Sequence, residues 1–275
     1  MSGAITRGPV SEFLRGIGLL GQGLRLYLQA PRVLLLGLIP VAITAALFVA
    51  AFVVLGVFLS DLAALVTWFA DDWATGYRTL VRVTAAIAIL GVALLLAVLT
   101  FTAVALAIGE PFYERISDLV ERGCGDDVTD AETGFWRSFW SGVADSARVV
   151  ALSMVIGLGL FLAGFVPVLG QTVVPVIGAL VGGWFLAVEL VGIPFSRRGL
   201  RVRDRWRALR VHRPRALGFG LAVFLCFLLP GGAVLMMPAA VAGGTLLARH
   251  SLGLPAQYQP PPAPPGGVNP PRTTA

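Results

Sequence analysis

Lysine is absent from this chain, and charge of any kind is scarce: 275 residues carry 21 basic side chains, all of them arginine, against 15 acidic ones, so that only 13% are charged. An average soluble domain holds roughly a quarter charged residues. The deficit leaves too few charges to cover a water-facing surface and excludes a soluble globular reading. Cysteine is nearly absent too, with Cys124 in a polar stretch and Cys226 in an apolar one. Two such residues exclude a disulfide framework and make Cys226 a small buried hydrophobe. The two histidines, His212 and His250, have no Cys, His or acidic cluster at ligand spacing beside them, and neither a Gly-x-Ser-x-Gly nor a phosphate-loop pattern occurs. No enzyme, no metal centre and no cofactor is expected.

Apolar sequence fills the space that charge leaves. Residues 33–59 and 83–108 contain no Asp, Glu, Arg or His, and each exceeds the ~20 residues with which a helix crosses the hydrocarbon core. The first begins too late and runs too long for a cleaved leader, so it is expected to stay in the mature protein. Ahead of it, residues 10–29 read as an amphipathic helix, with Ser11 as N-cap and Phe13, Ile17, Leu20, Leu24 and Leu28 at helical spacing. Its glycines, Gly16, Gly18, Gly21 and Gly23, weaken helix preference. The spacing places this helix flat on the membrane surface, Arg15 and Arg25 toward the phosphates. Residues 1–32 thus form an interfacial N-terminal segment, and the polar loop 60–82 offers Trp68, Trp73 and Tyr77 as interface anchors.

The second span is expected to stop at Gly109-Glu110-Pro111. A polar linker, 110–148, follows with nine acidic residues and four arginines. Within it 111–121 keeps a helical pattern, Phe112, Ile116, Leu119 and Val120 on one side and Glu114, Arg115, Asp118 and Glu121 on the other, and 123–134 reads as an acidic loop. Residues 149–195 are about twice as long as one crossing requires, and break signals at Pro167, Gly170, Gln171 and Pro175 make them a hairpin. Residues 217–249 repeat the design around Pro230-Gly231-Gly232 and Pro238. Arms of about 13 and 15 residues, roughly 20 Å each at 1.5 Å per residue, enter the bilayer without fully crossing it.

The expected class is therefore all-α: a polytopic helical membrane protein with two long transmembrane helices and two Pro/Gly-broken, partly penetrating hairpins, in one membrane domain over 33–254. Between the hairpins, linker 196–216 holds nine arginines and one acid, which the positive-inside tendency makes cytoplasmic. Counting back puts the acidic linker and both termini inside. The arginines flank apolar runs, as orientation charge does, and suit anionic headgroups rather than nucleic acid. Residues 255–275 read as a disordered proline-rich tail.

Interrupted hydrophobic segments at two places in one chain are what transporters use to build a mid-membrane site from helix ends, whose unpaired N–H groups receive anions. The alternative is a hairpin that only packs. Gln171 at the first tip either donates to an anion or closes the turn. Glu189, the single acid within the hydrophobic stretches, is a proton carrier, a cation ligand or an arginine partner, or else a carboxylate that snorkels to the interface.

Four stretches stand out: Arg25-Leu26-Tyr27-Leu28-Gln29-Ala30-Pro31 with Pro40; Glu110-Pro111-Phe112-Tyr113 leading to Leu119-Val120-Glu121; Val166-Pro167-Val168-Leu169-Gly170-Gln171-Thr172-Val173-Val174-Pro175; and Ile193-Pro194-Phe195 with Pro238-Ala239-Ala240-Val241-Ala242-Gly243-Gly244-Thr245. Together they resemble the CysZ-type sulfate permeases and the broader etoposide-induced-protein family. The resemblance implies full crossings combined with hairpins that penetrate part way, cytoplasmic termini, homo-oligomeric assembly, and sulfate uptake that supplies cysteine biosynthesis. In permeases of this type a glycine with following arginines, after the proline matching Pro31, looks like the sulfate-binding turn. Here those positions read Arg32-Val33-Leu34-Leu35. Either Arg32 supplies the charge from a neighbouring position, or this branch changed its cargo.

The expectation is an inner-membrane permease for a small inorganic anion, sulfate first, with Arg32, Gly170 and Gln171 as anion contacts and Glu189 as proton-coupling group. The competing expectation is a non-transporting scaffold of the same fold that recruits cytoplasmic partners through its linkers and tail.

Overall fold

The computed structural model describes residues 8–125, 135–229 and 231–259, and every regular element among them is helical. In chain order they are α1 (Pro9–Gln29), α2 (Pro31–Val66), α3 (Thr75–Gly123), α4 (Phe135–Gly164), α5 (Leu169–Leu190), α6 (Gly192–Arg197), α7 (Val202–Val211), α8 (Arg213–Phe227) and α9 (Gly232–Ser251). A 3-10 turn, Trp68–Ala70, joins α2 to α3. Proline opens α1 and α2, where its missing N–H costs nothing and its fixed φ suits a helix start.

Four helices, Pro31–Val66, Thr75–Gly123, Leu169–Arg197 (α5 running into α6) and Gly232–Ser251, are long and apolar enough to cross a membrane. The chain is a polytopic helical membrane protein, as its composition demands. The two long helices are α2 and α3, which lie against each other with Phe48 and Phe101 ring to ring at 5.5 Å. The broken segments form hairpins α4–α5 and α8–α9.

Helix α9 is the centre of the fold: every residue from Pro238 to Arg249 is buried. Helices α1, α3 and α8 pack around it, and α5 packs on α8. Apolar surface has no solvent-driven reason to associate inside lipid, so close backbone approach at small residues carries much of the attraction. Such contacts recur here. A Cβ on Gly16 of α1 would collide with the Arg215 carbonyl of α8, one on Gly23 with the Ala239 carbonyl of α9, and one on Gly220 of α8 with the Gly183 carbonyl of α5. The glycines of α1 therefore divide in two: Gly16 and Gly23, with Leu19, Leu20 and Tyr27, form its buried face, whereas Gly18 and Gly21 face open space.

Large apolar side chains elsewhere point outward. Val49, Val53, Val57, Leu94, Leu95 and Leu99 on α2 and α3 are all more than half exposed, as a lipid-facing surface requires. Trp68, Trp73 and Tyr77 are likewise exposed at the α2–α3 turn.

Three sequence expectations meet a different structure. Helix α3 does not stop at Gly109-Glu110-Pro111 but runs 49 residues to Gly123, about 74 Å at 1.5 Å per residue. A proline inside a helix removes one hydrogen bond, and neighbouring helices hold the rest in line. The second hairpin has arms of 15 and 20 residues rather than near-equal short ones. Residues 255–259 of the proline-rich tail are tied to the ends of α3 and α9: the Gln259 N–H donates to Gly123 O of α3 at 2.8 Å, and Arg249 Nε of α9 donates to Pro255 O at 2.7 Å. The acidic stretch 126–134 and the tail from 260 lie outside the described residues.

Candidate functional site

The start of α2 is an exposed helix end. Val33 and Leu34 both donate to Ala30 O, and Pro31 has no N–H. That leaves the Arg32 amide in the first turn without a backbone acceptor among the described residues, on the residue that also carries an exposed guanidinium. Five residues on, Gly37 lies where an added Cβ would meet Pro238 Cγ at 2.6 Å and the Tyr27 ring at 2.7 Å. The α2 start is therefore wedged between α1 and the proline of α9.

At the tip of the first hairpin the chain turns over Pro167 and Val168. The Leu169 N–H donates to Pro167 O at 2.9 Å across Val168, whose φ of 69° and ψ of −53° are those of a γ-turn with a left-handed centre. A β-branched residue there is strained. Gly170 follows because a Cβ would collide with the Gly164 carbonyl. Its N–H goes to Val166 O at 2.8 Å and that of Thr172 to Val168 O at 3.1 Å. This helix end spends most of its donors on its own turn. Gln171 stands exposed within it.

Glu189 sits in the last turn of α5, exposed, with no ion-pair partner among the described residues. Eighteen residues separate it from Gln171, about 27 Å of helix. One ion cannot touch both. Glu189 instead faces a junction on the other side of the fold, close enough to Glu110 of α3 for the two charges, with that of Glu114, to repel. Buried Tyr113 lies within the field of Glu110 and Tyr27, its ring folded back over Gly109. Ser117 of α3 and Thr245 of α9 share a buried hydrogen bond of 3.0 Å one helical turn further along.

Of the motif residues, Pro111 and Phe112 lie within continuous α3, Pro175 within α5, and Pro167 in the hairpin turn. Pro194 and Phe195 are buried in α6. Helices α2 and α5 share no packed interface, so Arg32 and the Gly170-Gln171 tip belong to two separate helix ends, not to one pocket.

The strongest electrostatic feature was not among the sequence candidates. Glu121 of α3, with 1% of its side chain exposed, accepts from Arg197 at 3.1 Å and closely from Arg198, while Asp118 accepts from Arg197 at 2.8 Å. The periodicity put Glu121 on the polar side of its helix, and that side turns out to face α6. The available signal was an acid pair three residues apart with an Arg-Arg doublet one residue after Pro194-Phe195. A second pair joins Glu12 of α1 to Arg215 of α8.

Comparison with known proteins adds a family. A profile described as sulfate transporter CysZ/etoposide-induced protein 2.4 matches residues 19–238. The protein named sulfate transporter CysZ from Pseudomonas fluorescens is 32% identical over 150 residues, 54% of this chain and 60% of its own length. That of Pseudomonas syringae pv. tomato is 33% identical over 160 residues, covering 56% and 61%. The one from Vibrio cholerae is 29% identical over 154 residues, covering 54% and 60%. The chain thus spans about three-fifths of the length of the curated relatives it matches.

Proposed function

The chain belongs to the sulfate transporter CysZ/etoposide-induced protein 2.4 family, and from that premise we propose that it is an inner-membrane permease for a small inorganic anion, sulfate first. The relatives carry the name sulfate transporter, which supports the cargo class. The observation that carries the reading on this chain is Arg32: a helix start beside Pro31 that presents an N–H without a backbone acceptor among the described residues, together with an exposed guanidinium. A tetrahedral dianion needs converging donors and a positive partner, and an arginine at a helix N-terminus offers both. The Gly170-Gln171 tip is a second, weaker contact, because its backbone donors are largely engaged.

Glu189 is the proton-coupling group in this proposal, acting at the junction it shares with Glu110, far from the hairpin tip. Both termini are cytoplasmic, and the protein works as a homo-oligomer in the lipid bilayer. Equilibrium dialysis of the purified protein with labelled sulfate tests the Arg32 contact. Arg32→Ala lowers affinity by about tenfold to a hundredfold if the guanidinium binds the anion, the usual range for losing a charged hydrogen bond. Unchanged affinity removes Arg32 from the site.

A scaffold reading draws on one observation, that residues 255–259 are fastened to the ends of α3 and α9. The proline-rich residues 260–275 follow this segment in the sequence. Deleting them leaves sulfate flux intact in a permease and abolishes partner capture in a scaffold.

A further inference from the structure

Helix α7 carries a one-sided array of arginines that the transport reading does not use. Its inner side is packed: Leu209 is fully buried, and the Trp206 ring lies 5.7 Å from that of Trp184 and 5.9 Å from that of Phe185, both on α5. Arg203, Arg207 and Arg210 are exposed along one flank of the helix. Their spacing of four and three residues puts them on a single face, with neighbouring Cβ atoms about 5–6 Å apart. Val211, 77% exposed, borders the same face.

Among the described residues, little neutralises this face. Arg207 is 4.0 Å from Asp204, both exposed, and Arg210 leans over the Trp206 ring at 5.8 Å, which leaves its charge intact. Arg203 has no acidic partner among the described residues. Like charges one turn apart weaken a helix, and an anion on this face would relieve that repulsion. Arginine matches phosphate with its planar fork of donors.

The position of the helix selects the source of that phosphate. Through the Trp184–Trp206 contact α7 is fastened to a helix long and apolar enough to cross the membrane, whose Val173, Val176 and Ile177 are exposed. Trp184 lies within the last two turns of α5, and tryptophan is enriched at headgroup depth. We propose that Arg203, Arg207 and Arg210 form a docking face for the phosphate headgroups of anionic phospholipid, fixing α7 and the hairpin it joins at one leaflet. The face takes lipid whatever the cargo.

The full-length protein in detergent, titrated with mixed micelles of phosphatidylglycerol or phosphatidylcholine, gives the test, read as the thermal unfolding midpoint and as lipid retained after gel filtration. Phosphatidylglycerol raises the wild-type midpoint and phosphatidylcholine does not. In R203Q/R207Q/R210Q the apparent affinity for phosphatidylglycerol falls on the order of a hundredfold, at about a factor of five per arginine near an anionic surface. R78Q/R115Q/R122Q, with the same loss of charge elsewhere on the chain, keeps the wild-type response. Equal responses in all three proteins, or equal loss in both variants, overturns the proposal. So does a matching shift produced by inorganic phosphate alone, which would make this a site for a free anion. Should the triple variant fail to fold, the single variants R203Q and R207Q decide: each lowers retained lipid, or the face does not bind it.

Discussion

Glu121 of α3 and Arg197 of α6 are joined by a 3.1 Å ion pair across 76 positions of sequence. With Asp118 and Arg198 they clamp the extension of the longest helix to the end of the first hairpin. A buried carboxylate is costly unless its partners stay in place, and removing one side strands the other, typically at about 3–5 kcal/mol. Glu121→Ala should therefore lower stability by several kcal/mol in a chemical-denaturation series, since Arg197 and Arg198 each lose a buried carboxylate acceptor. Glu114→Ala, an exposed change one turn from Glu110, should leave the midpoint nearly unchanged. Equal effects would mean that the clamp does not hold α3 to α6.

The glycines of α1 offer a contrast within one helix. Gly16→Leu sets a side chain against the Arg215 backbone, which cannot move aside as a side-chain tip can, and should detach α1 from α8. Gly18→Ala meets open space and should be neutral or stabilising by up to about 1 kcal/mol, the helix-propensity gain. Protease accessibility of α1 distinguishes the two: rapid cleavage is expected in the first variant and wild-type resistance in the second.

Val168 holds a left-handed backbone at the tip of the first hairpin. Val168→Gly should raise the thermal midpoint, since about 1–2 kcal/mol of conformational strain disappears and the exposed valine side chain loses no packing. A lowered midpoint would show that the turn depends on the side chain.

Gln171 and Glu189 stand at opposite ends of α5, about 27 Å apart, and side chains that far apart without shared partners act independently. Gln171→Ala should weaken sulfate binding without altering the pH dependence of uptake. Glu189→Gln should abolish the response to a pH gradient without altering binding, and the double variant should show the product of the two effects. A departure from that product would place both groups on one conformational switch.

The hydrophobic elements were legible in the sequence because lipid leaves a simple mark: long windows without charge became α2 and α3, and Pro167 and Gly231 mark the hairpin turns, whereas Gly170, Gln171 and Pro175 lie inside α5 and Pro238 inside α9. The continuation of α3 through Pro111 was not, since a proline that breaks an isolated helix is tolerated when neighbours hold the helix on both sides. Nor did periodicity reveal the burial of Glu121 or the function of Gly16 and Gly23, because each depends on which helix lies opposite. The same limit governs the site. Sequence marks Arg32, Gly170, Gln171 and Glu189 as helix-end or intramembrane polar residues, but the distances among them arise from packing, and packing assigns them to three places.

The most direct test of the permease reading is uptake of labelled sulfate by proteoliposomes containing the purified protein, with and without a pH gradient, beside empty liposomes. Saturable uptake above the empty vesicles, reduced by Arg32→Ala and stripped of its pH response by Glu189→Gln, is the predicted result. Uptake equal to that of empty vesicles, from protein shown to be folded and inserted, would contradict sulfate transport by this chain.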